Sequence, residues 1–206
     1  MLGKQFKMNV NELKDLAIDA ATQAGEFLNK SKLEKKEVYK EEGRDIKLII
    51  DQDTEKLIRS SLQKTGIPIL GEEYGGEISE EKYWVIDPID GTANYFRGLD
   101  ECCVSIALMD CDEALIGVIY NFNNDQMYTA IKGHGAFLNN EKISVSDIAS
   151  KSKASITTGF PASESIESSM NFLEDLKGWK KVRMFGSAAL SCAYVASGKC
   201  DYYSEK

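Results

Sequence analysis

Trp84-Val85-Ile86-Asp87-Pro88-Ile89-Asp90-Gly91-Thr92-Ala93-Asn94-Tyr95 is the stretch on which the reading of this chain turns. Tyr83–Ile86 has the apolar, β-branched character of a short strand, and turn chemistry begins at Asp87. Pro88 fixes the backbone between two aspartates. Gly91 lets the chain approach a ligand closely. Asp90-Gly91-Thr92 then opens a short helix whose N–H groups point at a phosphate.

Upstream, the strand candidate Ile67–Leu70 runs into Gly71-Glu72-Glu73-Tyr74-Gly75-Gly76. Two strand ends side by side bring Glu72, Asp87 and Asp90 together, at the carboxyl ends where open α/β sheets hold ligands. Two carboxylates ~4 Å apart repel by roughly 4 kcal/mol at an effective dielectric of about 20. No Lys or Arg lies within Asp87–Thr92 to offset this. Oxygen ligands with waters left over suit Mg²⁺. An isolated Asp-x-x-Asp-Gly is usually an ordinary turn; the Gly-Glu-Glu stretch beside it is what lifts this one above that reading.

Around this centre the pattern alternates. Leu13, Leu16, Ala17, Ala20, Ala24, Phe27 and Leu28 recur at helical spacing, which predicts a helix from Asn9 to about Lys36. Tyr39–Arg44 reads as a charged connection, Ile46–Ile50 as a short strand and Thr54–Gln63 as a helix. Val104–Leu108, Leu115–Tyr120, Met127–Ile131 and Ala136–Leu138 read as strands separated by polar turns. Beyond them come a strand at Ala154–Thr158, a helix at Ser163–Leu176, a strand at Lys181–Phe185, a helix at Ser187–Ala196 and a strand at Asp201–Tyr203. That order indicates layered α/β architecture.

The chain has 206 residues, 43% of them hydrophobic and 28% charged, which is a globular composition. Its net charge of −8 disfavours nucleic-acid binding. With an anionic substrate, that charge calls for bound cations. Apolar runs fall far short of the ~20 residues that span a bilayer, and Met1–Lys7 lacks the features of a signal peptide. Five cysteines, none in a C-x-x-C pair, fit a reducing cytoplasm better than a disulfide framework. The single histidine, His134, excludes a zinc site built from several His and reads as a turn residue. Asp51-Gln52-Asp53 and Asp110-Cys111-Asp112 lack the Gly and Glu of a calcium loop, and no Ser sits in a nucleophile elbow.

Gly71-Glu72-Glu73 followed by Trp84 to Tyr95 resembles the first signature of the inositol monophosphatases, Mg²⁺-dependent, lithium-sensitive phosphomonoesterases of a wider sugar-phosphatase superfamily. The resemblance runs from about Asn9 to Lys206. It implies an α-β-α-β-α sandwich, with an α+β half over residues 1–145 that carries the metal site and a partial α/β half over 146–206. It implies two or three Mg²⁺ held by Glu72, Asp87, Asp90 and the Ile89 carbonyl. Asp45 and Asp51 match the family's spacing, and Asp51 would pair with Thr92 to orient the attacking water, assisted by Glu72. Leu48 stands where the family often has Thr, and Lys40 matches a basic residue near the outer metal. Asp90, Gly91 and Thr92 would also meet the substrate. So would Gly186, Ser187 and Ala188, which resemble the family's Gly-Thr-Ala segment, and Glu205, which matches an acidic residue that contacts inositol hydroxyls.

The family's second signature, Trp-Asp followed by small residues, would begin beyond Lys206. The C-terminal part is therefore expected to be incomplete, in a fragment or in a shortened relative. The function implied is hydrolysis of a small polyol or sugar monophosphate such as inositol monophosphate, by a cytoplasmic homodimer that needs neither nucleic acid nor membrane. Fructose-1,6-bisphosphatase or bisphosphate nucleotidase activity is the alternative within the superfamily. A non-catalytic relative that binds metal or phosphate is the alternative outside catalysis.

Overall fold

The structure, a computed structural model, describes residues 8–32, 37–42, 45–76, 78–160 and 172–205. Helix α1 (Val10–Ser31) starts at a capping box: Asn9 Oδ1 accepts the N–H groups of Asn11 and Glu12, and Glu12 Oε2 accepts that of Asn9 at 2.7 Å. It ends at Ser31, earlier than the charge-rich continuation toward Lys36 suggests; residues 33–36 lie outside the described residues. Its buried face, from Leu13 through Leu28, packs on the large sheet beside helix α2 (Ile49–Leu62).

The segment read as a connection is a strand. β1 (Val38–Glu42) pairs antiparallel with β2 (Asp45–Leu48). Ile49 and Ile50, read as the end of that second strand, are instead the first residues of α2. The main sheet has the order β3-β4-β5-β6-β7-β8-β9. β3 (Ile69–Gly71) lies parallel to β4 (Lys82–Asp90) at one edge. The rest is an antiparallel meander of β5 (Cys103–Asp110), β6 (Glu113–Asn121), β7 (Gln126–Ile131), β8 (Gly135–Leu138) and β9 (Glu141–Ile143). Trp84, Ile86, Ile106, Leu108, Ile116 and Val118 form the core beneath α1 and α2.

β4 continues four residues past the predicted end at Ile86, through Pro88 to Asp90. Its register against β5 shifts between Asp87 and Asp90, so Pro88, which has no N–H to give the ladder, falls in the irregularity. Helix α3 (Thr92–Arg97) follows at once, and Tyr95 is buried with its hydroxyl donating to the Leu28 carbonyl at 2.9 Å.

A second sheet of three parallel strands has the order β11-β10-β12, from β10 (Ser155–Gly159), β11 (Lys181–Arg183) and β12 (Tyr202–Glu205). Helix α4 (Ala188–Ala196) lies between the two sheets, touching β10 and β12 on one side and β5 and β6 on the other. The fold is therefore layered α/β. Of the helix read over Ser163–Leu176, residues 163–171 lie outside the described residues, and a helical turn is present at 172–175. All five cysteines are free thiols. No helix among the described residues is long and apolar enough to cross a membrane.

Candidate active site

The Gly71–Gly75 turn rests on a buried ion pair that the motif reading does not include. Glu55, on α2, is fully buried and pairs with Arg59 one turn along, at 2.7 Å. Glu55 Oε2 accepts the Glu73 N–H at 2.7 Å and Oε1 accepts the Tyr74 N–H at 3.2 Å. Arg59 donates to the Ile69 and Gly75 carbonyls. A Cβ at Gly71 would lie 2.0 Å from Glu55 Oε1, so this position is glycine because the carboxylate needs its space. The i,i+4 spacing of Glu55 and Arg59 is the one mark of this pair in the sequence.

The turn carries Glu72 to Asp87, at the shared end of the parallel strands β3 and β4. Their carboxyl groups are in hydrogen-bonding contact. Burial, together with the charges of Glu72 and Asp90, raises the Asp87 carboxyl well above the usual range. One Asp87 oxygen also accepts the Ile89 N–H at 3.1 Å.

Asp51 sits at the start of α2, 2% exposed. Its Oδ2 accepts the Leu48 N–H at 2.7 Å, and its Oδ1 faces the Thr92 hydroxyl at 3.5 Å. Burial pushes the Asp51 carboxyl up to about 7, against the Leu48 hydrogen bond and with help from Glu73 and Glu72. The Thr92 hydroxyl gives its proton to the nearer Ile89 carbonyl at 2.9 Å.

Asp90 belongs to a different set of contacts. It accepts the Ser187 hydroxyl, the Ala188 N–H at 3.2 Å and the Ala189 N–H at 2.9 Å, and so bridges β4 to the first turn of α4. Cys103 Sγ lies 3.7 Å from the same carboxylate, and burial raises its thiol well above the ordinary value. Gly91, at φ +90°, lets the chain turn where a Cβ would meet the Glu101 carbonyl at 2.8 Å and the Gly186 carbonyl at 3.1 Å. Asn94 Nδ2 donates to Glu101 O at 2.7 Å and to Phe185 O at 2.6 Å, joining the segments on either side of a cleft.

That cleft has a volume of about 690 Å³ and is lined by Asp90, Glu101, Gly186, Ser187, Ala188 and Glu205 among others. Gly91 and Thr92 stand outside its lining. Glu205 accepts the Tyr203 hydroxyl, and burial together with that bond raises the phenol pKa. Lys47 is the further member that motif reading misses. Its Nζ lies 3.1 Å from Glu73 Oε1 and 3.4 Å from Glu72 Oε1. Partial burial would lower the ammonium pKa, but the bond to Glu73 and the charges of both glutamates raise it. The positions of the Lys40 and Asp45 side chains are not described.

The donors gathered here are carboxylates and a peptide carbonyl, the oxygen set that a hard divalent cation takes. Two of the three carboxylates read as ligands, Glu72 and Asp87, lie in contact, and the charge of the third adds to the repulsion on Asp87. By donor chemistry the residues fit such a cation. In placement they are held by protein partners: Lys47 on Glu72, and Ser187 with two backbone N–H groups on Asp90. Among the described residues no three His, Cys, Asp or Glu side chains converge as a ready-made cage.

Residues 9–206 match the model of a family described as the inositol monophosphatase family. The chain is 37% identical over 198 residues to Nus factor SuhB of Xylella fastidiosa, covering 93% of this chain and 72% of that protein. It is 34% identical over 208 residues to inositol monophosphatase 1 of Rattus norvegicus, covering 94% and 75%. The crystal structure of the extragenic suppressor protein SuhB from Bartonella henselae superposes with a TM-score of 0.87 at 33% identity, covering 93% of this chain and 77% of that one.

Proposed function

The chain belongs to the inositol monophosphatase family, and from that premise we propose that it hydrolyses a phosphate monoester of a small polyol or sugar with Mg²⁺ as cofactor. The observation that carries this reading is the placement of Asp51 Oδ1 opposite the Thr92 hydroxyl. Leu48 occupies one oxygen of Asp51 and leaves the other free to face Thr92.

Glu72, Asp87, Asp90 and the Ile89 carbonyl would hold Mg²⁺, which supplies the positive charge that polarises the phosphate and the attacking water. Thr92 Oγ1 orients that water and takes up its proton, while the Thr92 hydroxyl's own proton turns from the Ile89 carbonyl to Asp51 Oδ1. A carboxyl pushed up to about 7 is matched to that task near neutral pH. Glu72 assists as a second acceptor. The cleft beyond Asp90 takes the alcohol part of the substrate. Glu205 and Ser187 offer it an acceptor and a hydroxyl, and the Gly186–Ala188 backbone shapes its wall. A protein that only bound phosphate would need neither Thr92 nor an Asp51 aimed at it, which favours catalysis over a binding role.

The test is release of inorganic phosphate from a panel of inositol monophosphates, sugar monophosphates and fructose 1,6-bisphosphate, with Mg²⁺ and with EDTA. Mg²⁺-dependent release from at least one small phosphomonoester is expected. No release from any of them, by a protein that melts cooperatively, would overturn the reading.

A further inference from the structure

Lys47 brings a fixed positive charge into the carboxylate cluster proposed above to hold Mg²⁺. Its ammonium is anchored from behind. Glu73 is its nearer partner, and the Glu73 side chain is 2% exposed on a turn pinned by Glu55. Glu72, the farther partner, is 42% exposed and turns toward Asp87 as well as toward Lys47. Glu72 therefore stands between an internal cation and the place where a divalent cation would need it. The backbone holds this arrangement in place: Lys47 lies on β2, directly before Leu48, whose N–H fixes Asp51.

We propose that Lys47 is a built-in competitor for Glu72 that sets the affinity of the site for its divalent cation. This rests on the reading of Glu72, Asp87 and Asp90 as the metal-holding carboxylates. The ammonium acts in two ways with the same sign. It occupies an oxygen that the incoming cation must share or displace, and it repels that cation. Like charges repel, so an ammonium this close to the cluster is expected to weaken divalent-cation binding about tenfold or more. In return, Glu72 and Glu73 remain paired when no divalent cation is bound, which limits the repulsion within the acidic cluster.

The test is titration of the metal-free full chain with Mg²⁺, followed by calorimetry and by the rise in melting temperature, for the parent, Lys47→Met and Lys47→Arg. Lys47→Gln serves if the methionine variant does not fold. The neutral variants are expected to bind Mg²⁺ about tenfold tighter or more, with a larger rise in melting temperature at a fixed subsaturating concentration. Lys47→Arg should stay within about threefold of the parent, because the charge is kept. Equal or weaker binding by the neutral variants would overturn the proposal while leaving a Mg²⁺-dependent phosphatase intact. Absence of saturable Mg²⁺ binding in the parent and in the neutral variants would overturn both this proposal and the reading of the site beneath it.

Discussion

Thr92 Oγ1 lies 3.5 Å from Asp51 Oδ1, although the two residues are 41 positions apart in the chain. Two local geometries produce the meeting. Asp51 is fixed as the third residue of α2 by the Leu48 N–H, and Thr92 opens α3 immediately after the left-handed turn at Gly91. The carboxyl that results is buried and titrates where a general base is useful.

This burial has a consequence for stability that is measurable without substrate. Asp51 loses its proton near pH 4 in the unfolded chain and at about 7 in the folded one. Between those values the folded state keeps a proton that the unfolded state has released, so the stability contributed by protonated Asp51 is lost as pH rises toward 7. Asp51→Asn removes that dependence and keeps an acceptor for Leu48. In EDTA, the melting temperature of Asp51→Asn should gain on that of the parent from pH 4.5 to 7.5 and then hold its lead. A difference that stays constant across that range would contradict the burial argument.

Gly71→Ala should destabilise the fold by about 3 kcal/mol, within the range for breaking a buried ion pair. The added Cβ would fall 2.0 Å from Glu55 Oε1, and Glu55 cannot move without giving up Arg59 and the Glu73 and Tyr74 N–H groups. Urea denaturation reads the loss. A change under about 0.5 kcal/mol would mean that the turn accommodates the methyl by sliding as a unit.

Asn94→Ala removes one NH₂ that serves two carbonyls, Glu101 O and Phe185 O. With a net ~1 kcal/mol per bond and two part-buried acceptors losing their donor, a loss of about 2 kcal/mol in denaturant-derived stability is expected. Because Phe185 leads into the Gly186–Ala188 wall of the cleft, KM should rise by a larger factor than kcat falls. Unchanged KM alongside reduced stability would confine Asn94 to a structural role.

The sequence is informative where the chemistry is contiguous. Asp87 to Thr92 is one continuous run, and the prediction that Glu72 meets Asp87 needs only two adjacent strand ends, which β3 and β4 provide. The meander is legible because Val104–Leu108, Leu115–Tyr120 and Met127–Ile131 alternate between sharp turns. β1 is not, because Val38–Glu42 is mostly charged and finds its partner only in the β2 hairpin. The length of β4 is hidden by Pro88, which normally ends a strand but here sits where the register slips. Lys47 and Glu55 escape motif reading for a different reason. Each meets the 71–75 turn only through tertiary packing; Lys47 falls within the Asp45–Asp51 segment, but at a position to which the motif gives no role, and Glu55 lies outside it. Asp90 differs again: the sequence reading makes it a metal ligand and a substrate contact, whereas the fold also makes it the acceptor that ties α4 to β4.

If Thr92 and Asp51 handle the proton of the attacking water, phosphate release from inositol 1-phosphate at saturating Mg²⁺ will separate the parent from Thr92→Ala and Asp51→Asn. Each variant should retain a Mg²⁺-induced rise in melting temperature and lose about 10²–10⁴-fold in kcat, the range for removal of general acid–base assistance. If either variant turns over within about threefold of the parent, the Thr92–Asp51 pair does not carry the chemistry.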